Sequence, residues 1–85
     1  MALRQKLRRI LEERFPAPDT IELRDGEGII GVVTSQQFGR MSRMKRQDLI
    51  HELLESHLTP KEMRGVLIIV AVTPEEEMAD RAMVD

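Results

Sequence analysis

The chain has 85 residues, a formal net charge of −2 and no cysteine. A chain of that length holds one domain with a thin core, and the missing cysteines exclude disulfides, thiolate nucleophiles and any cysteine-ligated zinc or iron–sulfur site within it. It has two Phe but neither Tyr nor Trp, so stacking platforms for single-stranded nucleic acid are essentially lacking. No apolar run could span a bilayer and no signal-peptide pattern is present, which predicts a cytoplasmic protein with no membrane contact.

Leu3, Leu7, Ile10, Leu11 and Phe15 recur at helical spacing and Pro16 ends the pattern, predicting an amphipathic first helix. Its polar face mixes both charges, so it packs on the rest of the protein and is not a membrane anchor. Ile21 and Leu23 then alternate with Glu22 and Arg24, as in a half-buried strand. Asp25-Gly26-Glu27-Gly28 supplies turn residues, and a second strand over Ile29 to Ser35 completes a hairpin. Gly31 inside that strand predicts a bulge or a close backbone approach. Gln36 to Arg40 reads as a short loop.

From Ser42 the period is helical again, with Leu49, Ile50, Leu53, Leu54 and Leu58 on one stripe. Arg46 and His57 project from that apolar side. Thr59-Pro60-Lys61-Glu62 is a capping box with Pro at the first helical position, opening one more short turn. Val66 to Val72 is a strand, and Thr73-Pro74-Glu75-Glu76 repeats the capping grammar to start a C-terminal helical turn. The second and third strands are joined through a helix, so they are parallel or lie either side of the first. The prediction is an α+β fold in the order α-β-β-α-α-β: a two-layer sandwich of a three-stranded sheet with helices on one face. Residues 1–85 make a single domain, with 74–85 a short C-terminal helix or tail.

Little in the chain suits catalysis. Ser35, Ser42 and Ser56 are the serine candidates beside His51 or His57, but no nucleophile elbow, phosphate loop or metal-spaced His cluster accompanies them. The two histidines lie about 120° apart around their helix and cannot chelate together. His51 faces Glu55 one turn on, as a surface pair, and His57 is expected to be hydrogen-bonded and part-buried. The basic cluster Arg40, Arg43, Lys45 and Arg46 is the best candidate for anion binding, because it opens a helix whose free N–H groups also favour anions. Arg46 falls on the apolar stripe, however, and is expected to pack its stem inward and tie its guanidinium to a carbonyl or carboxylate. Gly39-Arg40-Met41-Ser42 is a weak partial match to the Gly-x-x-Gly loop of KH domains, lacking the second glycine.

Phe38, Ser42-Arg43, Arg46, Leu49-Ile50 and Thr73-Pro74-Glu75-Glu76 together resemble the C-terminal half of BolA-like proteins. The resemblance implies a fold akin to the second class of KH domain, and partnership with monothiol glutaredoxins through a shared [2Fe–2S] cluster. It also implies two ligand positions, a His at the start of the third strand and a His or Cys in the loop between the first two. Counted back from Thr73, the first is Gly65 here, and the loop is reduced to Gly26-Glu27-Gly28. The residue after Arg46, often His in the family, is Gln47. Neither ligand position holds a ligand, so no cofactor is expected.

Outward positions of the third strand are small or polar in the family, whereas here they read Val66, Ile68 and Val70, with Leu67, Ile69 and Ala71 facing the helices. A strand apolar on both faces should be covered on both. Val66, Ile68 and Val70 are therefore the candidate interface, for a protein partner or a second copy. A tail folded back through Met78, Ala82 and Met83 is the intrachain alternative. The sequence thus points to a non-enzymatic BolA-like interaction or regulatory module acting through protein contacts. The rival expectation is weak nucleic-acid binding, to DNA or RNA, through Arg40, Arg43 and Lys45.

Overall fold

A computed structural model describes residues 2–84, with side chains described through Ala79. The first helix, α1, spans Leu3–Arg14 and buries Leu7, Ile10 and Leu11. Phe15 closes it, its N–H donating to the Leu11 carbonyl at 2.7 Å while its ring is buried. Strands β1 (Thr20–Asp25) and β2 (Ile29–Thr34) pair antiparallel from Thr20↔Thr34 to Asp25↔Ile29. A 3-10 turn over Gln36–Arg40, capped by Ser35, occupies the expected loop. It leads to α2 (Arg43–His57), the short α3 (Pro60–Met63) and β3 (Val66–Val72). The expected C-terminal turn is an 11-residue helix, α4 (Pro74–Val84). Glu75, Glu76 and Glu77 in its first turn suit the positive end of the helix dipole.

The sheet order is β1-β2-β3, with β2 and β3 parallel. Of the two arrangements open from sequence the adjacent parallel one holds, and β3 becomes a sheet edge. Helices cover one face, giving the α+β two-layer sandwich. Its core joins Leu7, Leu11 and Phe15 of the N-terminal segment to Ile50 and Leu54 of α2 and to Leu23, Val33, Ile69 and Ala71 of the sheet. Phe15 and Phe38 meet there with ring centroids 5.2 Å apart and planes tilted by 46°, a favourable aromatic geometry. Gly31 provides close packing rather than a bulge. A Cβ on it would lie 2.7 Å from Leu23 Cδ2 and 2.8 Å from Ile69 Cδ1, both side chains of flanking strands.

The bulge falls on β3 instead. Ile29 pairs with Val66 but Ile30 pairs with Ile68, so Leu67 is an extra residue without a partner. Val66 therefore packs against the core while Leu67 turns out to 59% exposure. That reverses the facing expected of these two residues, because strict alternation does not hold through a bulge. Gly28 makes room, since a Cβ there would sit 2.7 Å from Leu67 Cγ.

Candidate functional site

The turn into α2 is built by a cap: Ser42 Oγ accepts from the Lys45 N–H at 3.2 Å. Around it Arg40, Arg43 and Lys45 are exposed, and none of their side chains forms a hydrogen bond or ion pair among the described residues. Arg40 ends the 3-10 turn, and Arg43 lines a groove between β3 and α4. Gly39 is needed neither for close approach, since a Cβ on it would meet nothing within 4 Å, nor for a positive φ. The fragment thus lacks the backbone geometry for which a phosphate-clamping glycine loop needs glycine.

Arg46 behaves differently from its basic neighbours. Its side chain is 10% exposed and its guanidinium converges three segments: Nε donates to the Met41 carbonyl at 3.2 Å, and one terminal nitrogen donates to the Ala71 carbonyl at 3.3 Å and to Glu76 Oε1 at 2.7 Å. Its Cζ also lies 6.0 Å from the centre of the buried Phe38 ring, within cation–π reach. Glu76 in turn accepts from the Thr73 N–H at 2.8 Å, while its own N–H donates to Thr73 Oγ1 at 3.1 Å. The Arg46 guanidinium and the Thr73 N–H together hold the Glu76 carboxyl down to about 2. Phe38, Arg46 and the Thr73–Glu76 box therefore form one structural clasp joining α2, the end of β3 and α4.

At the corner to which the resemblance assigns cluster ligands, α1 packs close against the backbone. Gly65 precedes β3, and a Cβ on it would lie 2.5 Å from Leu3 Cδ2 of α1. The facing hairpin turn offers Asp25, whose carboxylate pairs with Arg4 at 3.2 Å. With no thiol or imidazole at this corner, the donor set does not fit a [2Fe–2S] cluster. His51 Nε2 lies 3.1 Å from Glu55 Oε2 on the exposed side of α2, and His57 Nδ1 lies 2.9 Å from the Leu53 carbonyl. His57 is hydrogen-bonded as expected, but it is exposed and not part-buried. Among the described residues no group of three or more His, Asp or Glu side chains could hold a metal ion.

The remaining feature is the sheet face opposite the helices. Ile30 pairs with Ile68 and Val32 with Val70, all four pointing outward, and Leu67 joins them at the bulge. Ile30, Ile68 and Val70 are 45%, 50% and 36% exposed. On β1 the same face carries Glu22 and Arg24, opposite Val32 and Ile30. Sequence reasoning missed Ile30, Val32 and Leu67. The first two were legible as outward positions of β2 once Ile29, Gly31 and Val33 were placed inward. Met78 on α4 is 71% exposed, while Ala82 and Met83 lie outside the described side chains.

No protein-family model matches the chain, and no curated protein matches it by sequence. Solved structures do. BolA1 from Arabidopsis thaliana superposes with a TM-score of 0.65 at 25% identity, covering 89% of this chain and 96% of that one. The BolA domain of SufE1 from Arabidopsis thaliana gives 0.63 at 27% identity, covering 89% and 98%. Agreement in fold over nearly the whole length, together with the Arg46 clasp built from the residues of the sequence resemblance, supports a divergent BolA-like protein.

Proposed function

We propose that residues 1–85 act as a non-enzymatic BolA-like interaction module that works through protein contacts and supplies no ligand to a shared cluster. The observation that carries this reading is the open sheet face, where five apolar side chains on β2 and β3 lie together with no covering layer among the described residues. Contiguous exposed apolar surface of that kind marks interaction sites in soluble proteins. That a similar unit occurs as a domain of SufE1 also supports a modular role. The test is co-purification of tagged wild type and the Ile68→Lys variant from the native cell, with both shown to be folded. Bound protein lost in Ile68→Lys is the expected result. Nucleic acid captured at nanomolar affinity and physiological salt, and lost in Arg40→Ala and Arg43→Ala, would overturn it. Only weak non-specific nucleic-acid binding is expected, about 10⁻⁴–10⁻⁶ M.

A monothiol glutaredoxin, the partner implied by the resemblance, would be met through surface contact alone. Mixing the two with [2Fe–2S] is expected to leave the glutaredoxin's visible spectrum unshifted. A mixed Cys/His-ligated spectrum abolished by His51→Ala or His57→Ala would contradict this.

A further inference from the structure

We infer that the open sheet face docks a second copy of this chain, face to face about a two-fold axis running along the strands. This rests on the reading of that face as a protein contact surface and adds the identity of the partner. An edge-stranded sheet can associate by adding a strand or by stacking. Strand addition is obstructed here. Ser35 N–H bonds the Val72 carbonyl at 2.9 Å, so Val72 faces β2, and by alternation Ile69 and Ala71 face the free edge. Their two carbonyls are taken, Ile69 by Gln47 Nε2 at 3.2 Å and Ala71 by Arg46 at 3.3 Å. Stacking is left.

The charges flanking the apolar patch favour the chain itself as occupant. An isologous interface requires a surface complementary to itself. On the β1 side stands Glu22, level with Val32 and, through the parallel register, with Val70. On the far side Arg43 lines the groove beside Val70 and Val72. Neither charge has an ion-pair partner among the described residues. A two-fold along the strands, centred between β2 and β3, lays β2 of one copy on β3 of the other. The same rotation preserves height along the strands and carries each Glu22 past β3 to the other copy's Arg43. Apolar surface then meets apolar surface, and two opposite-charge contacts close the rim. Five apolar residues and two flanking charges fall short of the roughly 20–30 residues a side of a standard interface, so the dimer is expected to be weak, with Kd about 10–100 µM.

Sedimentation of the full chain from about 10 µM to about 1 mM tests this. The expected result is a concentration-dependent dimer, monomeric in Ile68→Lys with an unchanged circular dichroism spectrum. Glu22→Lys and Arg43→Glu should each raise Kd about tenfold, and the double variant should restore it. A wild type monomeric throughout that range overturns the inference. If Ile68→Lys still loses a bound protein in the cell, the contact-surface reading stands without it. A dimer indifferent to Ile68→Lys also overturns the inference, because it forms through another surface. A chain that dimerises only after removal of residues 80–85 also overturns it, and assigns the face to α4.

Discussion

Two residues, Glu62 and Glu76, do the same pair of jobs at two boundaries. Each closes a Thr-Pro-x-Glu box on its own helix and also binds a cation from elsewhere in the fold. Glu62 takes Lys6 of α1 at 2.9 Å, and Glu76 takes Arg46 of α2 at 2.7 Å. The boxes were legible because capping is local chemistry at fixed spacing. The cations were not, because Lys6 and Glu62 are far apart in sequence and meet only in the fold. Arg46 was half legible: an arginine on an apolar stripe needs inward partners, but its position does not name them. Arg46→Ala would strand the Met41 and Ala71 carbonyls, so a loss of about 1–3 kcal/mol is expected in a denaturant titration. The Glu76 carboxyl, held at about 2 against an ordinary value of 4.5, is ionised in the native state where the unfolded chain would already be protonated. Its stabilisation is thus fully present above about pH 4.5 and is lost as pH falls toward 2. Because Glu76 is half exposed, solvent screens the pair and the effect is modest. Unfolding midpoints measured across that window should fall more steeply for wild type than for Glu76→Gln.

Among the elements, β3 divides what sequence can and cannot reveal. Its ends, Val66 and Val72, match the expectation, being fixed on one side by the Thr73 box and on the other by Gly65. Its facing departs from strict alternation at the first two residues, and a run of seven apolar residues has no period to betray such a bulge. What sets the bulge is tertiary: Gly28 leaves space for Leu67, and Gly65 lets Leu3 pack over the start of the strand. A side chain at Gly65, the first of the ligand positions that the resemblance implies, would meet Leu3. Gly65→His is accordingly expected to lower stability by about 1–3 kcal/mol through overpacking against Leu3. Much of that loss should be recovered in the Leu3→Ala/Gly65→His pair. Thermal denaturation of the two variants checks it, and equal losses in both would show that Leu3 is not the obstruction.

At the scale of the molecule, the fold class and the one-sided layering followed from periodicity, while strand order did not. Placing β3 at the edge leaves a seven-residue strand without a single charge or proline next to solvent, a ready template for uncontrolled pairing. Natural sheets blunt such edges with charges, bulges or cover. This one combines a bulge at Leu67 with two side chains of α2 that occupy the outward carbonyls. Gln47 carries half of that protection through its 3.2 Å bond to Ile69, and unlike Arg46 it has no further role in the clasp. Gln47→Leu keeps the side-chain size, removes the donor and leaves the Ile69 carbonyl open. The native state should therefore lose only about 0.5–1.5 kcal/mol, the worth of one ordinary hydrogen bond. Aggregation should respond far more, with light scattering during mild heating rising earlier and more steeply with concentration than in wild type. Matched scattering curves for the two proteins would show that the bulge alone protects the edge.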